Sequence, residues 1–194
     1  EKMIERLKRE FYTDYVYIAW DGRHGADWRK EILPEYKADR KKEGREKLIE
    51  SIELCKTLQY NNFCLDDFEG DDMIYGLCKC IHKQDDYTII VSADKDFLHL
   101  VQRHIADKLY NPLTKSYREI PEIDNVIMRA IAGNDDNLKG CPNKEPKFVE
   151  KYVKGLASLT PEEQVIFEKH KLVVDLELSP YKQKCIDYIN NLTN

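Results

Sequence analysis

Short apolar runs alternate with helical patterns along the first part of the chain. Three runs are rich in aromatic or β-branched side chains, as buried strands are: residues 15–20 (YVYIAW), 61–65 (NNFCL) and 87–92 (YTIIVS). The last is a continuous apolar run, which is typical of a strand buried on both faces in a parallel sheet. We therefore predict three strands of one sheet.

The segments between these strands carry apolar residues at helical spacing. One stripe starts near Gly70 and consists of Met73, Ile74, Leu77, Cys78 and Ile81. Residues 35–60 form a longer, highly charged pattern with apolar positions at Leu48, Ile49, Ile52, Cys55 and Leu58. Another helix is predicted after residue 96, and two short strands around residues 111–112. The alternation predicts an open, mainly parallel α/β sheet with flanking helices and right-handed crossovers.

From residue 121 onward the pattern is helical. Thr160, Pro161 and Glu163 combine an N-cap, a proline at the first helical position and a capping box. Ser179-Pro180 is expected to open the last helix in the same way. We expect residues 1–120 to form the α/β core and residues 121–194 to form a helical region that packs with it as one domain.

The composition is that of a soluble globular protein, with 42% apolar and 35% charged residues in a chain of 194. There is no run of about 18 apolar residues and no signal-peptide segment at the charged N-terminus, so we expect a cytoplasmic protein without a membrane span. Six cysteines without a CxxC pair and five scattered histidines argue against a zinc site and disulfides. We interpret the thiols as small buried apolar groups.

Charge is distributed unevenly along the chain, whose net charge is −5. Residues 23–47 contain nine Lys or Arg against six Asp or Glu, and residues 139–154 contain five against two. Basic patches around an acidic centre can bind a polyanion at the rim and a metal in the middle. On charge alone, ordinary solvated helix faces are the alternative interpretation.

Acidic residues follow each of the three predicted strands. They are Asp21 after the first strand, Glu69, Asp71 and Asp72 after the second, and Asp94 and Asp96 after the third. Ligands bind at the carboxyl ends of the strands in open α/β sheets, so we expect these side chains to converge there. Taken one at a time, they also fit helix caps, helix N-terminal charges or a simple turn.

Converging carboxylates repel one another unless they bind protons or a cation. Oxygen-rich sites suit Mg²⁺ or Mn²⁺, and two such ions about 4 Å apart can stabilise the attacking and leaving oxygens in phosphodiester hydrolysis. The pattern therefore predicts a divalent metal site at this edge of the sheet.

Four segments together resemble a known family. WDGRHGADWRKEILPEYKADRK, FEGDDMIYGL, SADKDFLHLV and AGNDDNLKG, in this order and spacing, are similar to the bacteriophage and bacterial 5′→3′ exonucleases, with the phage enzymes most similar. This family includes the flap endonucleases and the 5′-nuclease domain of bacterial DNA polymerase I. The resemblance covers about residues 10–155 and implies a PIN-like α/β fold with a helical arch at about residues 35–60 and a helix–three-turn–helix DNA-binding element.

The resemblance also implies roles for individual residues. The first metal ion would be held by Asp21, Glu69, Asp71 and Asp72, and the second by Asp94, Asp96 and Asp136, directly or through water. Lys37 and Arg40 would steer the scissile phosphate, and Tyr36 would stack or pack beside them. Without the motif, Lys37 and Arg40 would be interpreted as solvated helix charges, and no role is assigned to Arg29 or Lys30. Phosphate contacts are expected from Lys139, Lys144, Lys147 and Lys151.

The chain departs from the family pattern at three places. Only 20 residues precede Asp21, so the family's first strand and its early Asp are absent. Asn134 occupies the first acidic position of the family's G-D-x-x-D-N motif, where Asp135 is a possible substitute. The segment CPNKEPKFVEKY lacks the glycine pair with which the family holds K⁺ and a phosphate. Because a missing central strand would expose a hydrophobic slot, we expect residues of the natural protein to precede this sequence, with a shortened member as the alternative.

The function expected from these observations is metal-dependent 5′→3′ exonuclease or flap endonuclease activity on DNA, by a two-metal-ion mechanism, in a phage-encoded monomer in the host cytoplasm. The expected partners are DNA with 5′ ends or flaps, RNA–DNA hybrids and replication proteins. Two alternatives stay open: a catalytically impaired member that binds branched DNA without cutting it, and a PIN-type ribonuclease.

Overall fold

The computed structural model describes residues 2–38, 50, 53–54, 56–57, 59–81, 87–134 and 138–193. Statements about contacts below concern these residues. Most of the predicted arch lies outside them, as do Arg40, Asp135 and Asp136.

The described strands pair as three small sheets. Strand β1 (Tyr17–Ala19) pairs in parallel with β2 (Asn61–Phe63). Strand β3 (Ile89–Val91) pairs in parallel with β4 (Lys108–Asn111), and β5 (Ser116–Tyr117) lies antiparallel to β4. A hairpin is formed by β6 (Gly133–Asn134) and β7 (Leu138–Lys139). The three predicted strands and the pair around residues 111–112 are therefore confirmed.

The prediction of one open sheet differs from the structure. In the described part of the chain, no hydrogen-bonded ladder joins the β1–β2 pair to the β3–β4–β5 sheet. Strands of two to four residues make few ladder hydrogen bonds, so each small sheet depends on the helices packed against it. The α/β class is confirmed, but the sheet is divided.

Eight α-helices are present among the described residues. They are α1 (Lys2–Glu10), α2 (Asp27–Ile32), α3 (Gly70–Ile81), α4 (Leu98–Gln102), α5 (Asn125–Ala132), α6 (Pro146–Val153), α7 (Pro161–Val174) and α8 (Lys182–Thr193). A 3₁₀ helix, Lys95–Phe97, leads directly into α4. The predicted helices after Gly70 and after residue 96 are both found.

The predicted cap is confirmed for α7, whereas the serine predicted to cap the last helix lies before the start of that helix. At the start of α7, Thr160 Oγ1 accepts a hydrogen bond from Glu163 N at 3.3 Å, and Glu163 accepts one from Thr160 N at 2.9 Å. The last helix begins at Lys182 rather than directly after Ser179-Pro180. Ser179 Oγ accepts from Tyr181 N at 3.3 Å, so this serine caps a turn that precedes the helix.

The C-terminal helices bury residues of the α/β part. A side-chain carbon added at Gly76 in α3 would lie 2.7 Å from Ile189 and 2.9 Å from Cys185 of α8, so the glycine allows the two helices to approach closely. One core cluster contains Met73, Leu77, Cys185 and Ile189. The sequence after residue 121 therefore supplies part of the packing that holds α3 in place.

The described cysteines are free thiols, of which Cys78, Cys141 and Cys185 are buried. Burial raises the pKa of Cys78 and of Cys185 to about 12, so both stay protonated at neutral pH. Their interpretation as small buried groups is confirmed for these three residues. None of the helices in the described part of the chain has the length and apolar character needed to cross a bilayer.

Candidate functional site

The loop after β1 lies directly on the loop after β2. Gly22 N donates to Phe68 O at 2.7 Å, and His24 N donates to Asp66 O at 2.7 Å. A side-chain carbon at Gly22 would lie 1.9 Å from Leu65 O, so only glycine allows this approach. The first predicted acidic group is thereby brought to the second: Asp21 Oδ1 accepts a hydrogen bond from the backbone N–H of Gly70 at 2.6 Å, at the first residue of α3.

A buried arginine on α2 holds two of the predicted metal ligands. Arg29 is 2% exposed, and its guanidinium lies 2.8 and 2.7 Å from the two carboxylate oxygens of Asp72. The same guanidinium lies 3.1 Å from Glu69 Oε2, and its Nε donates to Val173 O at 3.1 Å. Burial opposes the charge, but Asp72 and Glu69 raise the pKa of Arg29 above its ordinary value. A buried charge of this kind is tolerated because its donors are paired.

Glu69 binds two further side chains, Tyr36 and Lys37, for which the family resemblance implies a position at or beside the scissile phosphate. Tyr36 donates its hydroxyl to Glu69 Oε2 at 3.0 Å, and Lys37 Nζ lies 2.5 Å from Oε1. Burial acts to raise the pKa of Glu69, but Arg29 and Lys37 outweigh it, so the pKa is lowered. Lys37 has a left-handed backbone (φ 55°), which an L-residue rarely adopts and which tertiary contacts must maintain.

The negative charges of Asp71 and Asp94 are compensated less by neighbouring cations than those of Glu69 and Asp72. Burial and the charge of Glu69 raise the pKa of Asp71 to about 7, and Asp94 contributes in the same direction. Asp94 is exposed and accepts a hydrogen bond from Asp96 N at 2.8 Å, so it caps the 3₁₀ helix as well as lying at the strand end. The third acidic group therefore lies within electrostatic range of the second.

Asp96 is buried and is paired with a residue that the sequence did not indicate. Arg129 on α5 lies with Nη2 at 2.6 Å from Asp96 Oδ2. Burial raises the pKa of Asp96 despite the opposing charge of Arg129. Arg129 is the one charged residue of the mostly apolar helix NVIMRAIA, and this is the signal that could have predicted a buried ion pair here.

Some of these carboxylates are available to bind a cation that prefers oxygen ligands, and others are not. Asp21 contacts the start of α3, where Asp71 lies within electrostatic range of Asp94, and the raised pKa of Asp71 reflects burial and neighbouring negative charge that a divalent ion would neutralise. By contrast, both oxygens of Asp72 are paired with Arg29, and Asp96 is paired with Arg129. Within the described ranges, no three acidic, histidine or cysteine side chains are close enough to form a ready metal site. Glu69, Asp72 and Asp96 are therefore paired with protein cations, whereas Asp21 and Asp94 accept hydrogen bonds from backbone N–H groups.

The predicted nucleic-acid contacts differ in how far they are exposed. Lys139, Lys147 and Lys151 have exposed side chains on β7 and α6. Lys144 instead lies 3.0 Å from Glu163 and 4.3 Å above the ring of Phe148. Tyr36 is only 5% exposed, so its ring packs in the core and offers no face for a base.

Comparison with known proteins gives a family and a fold. The family model described as "5'-3' exonuclease, N-terminal resolvase-like domain" matches residues 1–128. The flap endonuclease Xni of Shewanella baltica strain OS155 is 28% identical over 166 residues, which cover 79% of this chain and 62% of that protein. The 5'-3' exonuclease of Mycoplasmopsis pulmonis is 28% identical over 168 residues, with 80% and 56% covered. The chain thus spans less than two thirds of these relatives.

Two solved structures have the same fold. The T5 5'-exonuclease with bound zinc superimposes with a TM-score of 0.73 at 21% identity, covering 97% of this chain and 83% of that one. The bacteriophage T5 D15 flap endonuclease, solved as a pseudo-enzyme-product complex with DNA and metal ions, gives a TM-score of 0.72 at 21% identity with the same coverage.

Proposed function

The chain belongs to the 5′-3′ exonuclease family, and on that premise we propose that it hydrolyses phosphodiester bonds of DNA at 5′ ends or flaps with the help of divalent metal ions. The single observation that carries the proposal is the assembly of acidic groups from three strand ends. Asp21 contacts the first residue of α3, and Asp71 is electrostatically coupled to Glu69 and Asp94. The expected substrate is DNA, with which the T5 D15 flap endonuclease forms the complex described above.

The residues proposed to hold Mg²⁺ or Mn²⁺ come from these three groups. Asp21, Glu69, Asp71 and Asp72 would form the first site, and Asp94, Asp96 and Asp136 the second, with Asp135 as a further candidate. When bound, such ions polarise a phosphoryl oxygen and lower the pKa of the attacking water. The ion pairs of Asp72 and Asp96 support indirect roles for these two, in which Arg29 and Arg129 fix the carboxylates. K⁺ has no glycine cradle to support it.

The basic residues would position the DNA. Lys37 lies at the edge with its ammonium 2.5 Å from Glu69, where it can exchange a carboxylate partner for a phosphate oxygen. Arg40 is proposed for the same task from the sequence alone. Lys139, Lys147 and Lys151 support binding of the duplex through exposed charges. RNA–DNA hybrids as substrates, replication proteins as partners and a monomeric state stay predictions from the resemblance.

A second candidate function is binding of branched DNA without cleavage. The observation that favours it is that Glu69, Asp72 and Asp96 are each paired with an internal arginine or lysine. In such a protein the protein cations would replace the metal ions, and the folded state would need no metal.

A labelled flap substrate separates the two candidates. We expect short products from 5′-labelled flap DNA with Mg²⁺ or Mn²⁺, none with EDTA, and a loss of about 100-fold or more in Asp94→Ala. The matched control is Asp67→Ala, which removes an exposed carboxylate that pairs with Lys184 on the surface. Cleavage that survives chelation contradicts the metal-dependent proposal. Salt-dependent binding without products in the wild type supports the second candidate.

A further inference from the structure

A buried histidine lies directly behind Asp96. His99 on α4 is 1% exposed, and its Nδ1 lies 2.7 Å from the main-chain oxygen of Asp96. A carbonyl oxygen only accepts hydrogen bonds, so Nδ1 carries the proton and Nε2 of the neutral ring is an acceptor. Burial disfavours the charged form of a ring that is only 1% exposed, so the neutral ring is the relevant one.

Two buried nitrogens near Asp96 lack a hydrogen-bond partner within the described part of the chain. They are Nε2 of His99 and Nε of Arg129. The first is an acceptor and the second is a donor, so their needs are complementary. A buried polar atom without a partner costs about 1–3 kcal/mol, so two such atoms are unfavourable unless a further group provides the missing hydrogen bonds.

Both residues line the same small cavity. Its volume is about 10 Å³, and its other lining residues include Asp71, Asp96 and Arg29. This is about the space that one water molecule needs, and such a water requires two to four polar partners. A water here would accept from Arg129 Nε–H and donate to His99 Nε2, with its second hydrogen directed to a carboxylate of the lining.

We propose that His99 is a positioning residue for Asp96, acting on its main chain directly and on its carboxylate through one buried water shared with Arg129. The same helix α5 that carries Arg129 also carries Asn125, whose side-chain amide lies 3.4 Å from the main-chain oxygen of Asp96. Asp96 is thus held from α4 and from α5 at once. The inference depends on the proposed function for one point, which is that Asp96 takes part in metal binding.

The experiment compares two buried histidines. His170 on α7 is 3% exposed and its Nδ1 also lies near a main-chain oxygen, that of Ala130 at 3.0 Å, but it does not line the cavity. His99→Leu and His170→Leu therefore remove the same kind of buried hydrogen bond, and both changes are made at rings whose pKa is lowered by burial. Their melting temperatures measure the shared structural cost.

The variants are expected to differ in their effect on metal binding. Loss of a hydrogen-bonding partner behind a metal ligand typically weakens binding or activity by 10–100-fold, so we expect His99→Leu to weaken Mn²⁺ affinity by about 10-fold or more. In the same variant kcat for flap DNA falls while KM is unchanged. His170→Leu keeps Mn²⁺ affinity within about twofold. His99→Gln, whose amide can donate to the Asp96 oxygen and accept from the water, restores most of the loss.

Crystal structures test the inference without any activity. The wild type should show a water between His99 Nε2 and Arg129 Nε, and His99→Leu should show the Asp96 carboxylate turned away from Arg129 or in two conformers. Absence of that water, or an unchanged Asp96 in His99→Leu, overturns the proposal even if the protein cleaves DNA. If the wild type does not cleave DNA and Asp96 still moves, the proposed function fails and the positioning role stands.

Discussion

Arg29 and Asp72 form a bidentate ion pair in which both side chains are almost completely buried, with the two N–O distances at 2.8 and 2.7 Å. The two residues are 43 positions apart in the chain and lie on different helices. Their pairing joins α2 to the start of α3, where the acidic groups meet.

Removal of the Arg29 charge should lower the free energy of unfolding of the protein. Arg29→Met leaves Asp72 and Glu69 buried with one cation fewer, and breaking a buried pair costs about 3–5 kcal/mol of the free energy of unfolding. Urea denaturation measures the loss. Lys184→Met, which removes a surface partner of Asp67, is the control and should leave the unfolding midpoint almost unchanged. Equal effects of the two variants would show that the buried pair contributes no more than a surface pair.

The close approach at Gly22 should be intolerant of any side chain. Gly22→Ala places a carbon 1.9 Å from Leu65 O and 2.5 Å from Asp66 O, so the loops must separate, at a cost of about 3 kcal/mol or more. Gly155→Ala is a useful comparison because Gly155 has φ 71°, while no atom of the described residues other than its chain neighbours lies within 4 Å of the added carbon. It should cost only the left-handed conformation, about 1–2 kcal/mol. Thermal unfolding of both variants separates the contact from the conformation.

Stability without metal should fall as the pH rises through the titration of Asp71. The pKa of this carboxyl is raised from 3.8 to about 7, so the folded state binds a proton that the unfolded state has lost over that range. The free energy of unfolding therefore decreases from about pH 4 to pH 7 and is level above it. The lowered pKa of Glu69 acts in the opposite sense and only toward acid pH.

Asp71→Asn isolates this contribution, because asparagine has the same shape and no charge. In EDTA, the melting temperature of the variant should be less dependent on pH between 5 and 7 than that of the wild type, and higher at pH 8. Parallel pH profiles would mean that Asp71 titrates normally.

Divalent ions should reverse the dependence of stability on pH that Asp71 causes. A ligand that binds only the folded state stabilises it by about 2.7 kcal/mol at 100 times its Kd, and binding here must displace the Asp71 proton. The rise in melting temperature with saturating Mg²⁺ or Mn²⁺ should be larger at pH 8 than at pH 6 in the wild type. It should be smaller in Asp94→Ala and unchanged in Asp67→Ala. A shift independent of pH would place the ion away from Asp71.

The lysines on and before α6 should differ in their contribution to DNA binding. Lys147→Ala and Lys151→Ala remove exposed charges, and each should reduce the slope of log K against log salt by about one. Lys144→Ala should leave the slope unchanged and lower the melting temperature, because this lysine is paired with Glu163 and packed on Phe148. Fluorescence anisotropy with flap DNA in EDTA, at several salt concentrations, measures the slopes. Equal slopes for Lys144→Ala and Lys147→Ala would contradict this distinction.

Local patterns in the sequence were sufficient to predict strands β1 to β5, helices α3 and α4 and the capping box of α7, because each depends on residues close together in the chain. They did not predict α2, or the β6–β7 hairpin within the region expected to be helical. The acid-after-strand pattern predicted that Asp21 would lie near the start of α3, since the carboxyl ends of parallel strands meet at one edge. The four motifs predicted the family that the comparison confirms. Ser179-Pro180 shows the limit, because the side chain that caps a turn and the one that caps a helix have the same local signal.

The partners of the carboxylates were decided by the tertiary structure alone. Arg29 reaches Asp72, and Arg129 reaches Asp96, across 43 and 33 positions. The position of Arg129 in a mostly apolar helix indicates that it is buried and paired, but no local rule selects the carboxylate with which either arginine pairs. The division of the sheet and the pairing of Lys144 are of the same kind. Charge and apolar pattern along a chain determine which side chains must be buried or compensated. Which group compensates them depends on the packing of distant helices, and here that packing decides which acids of the site are held by protein cations.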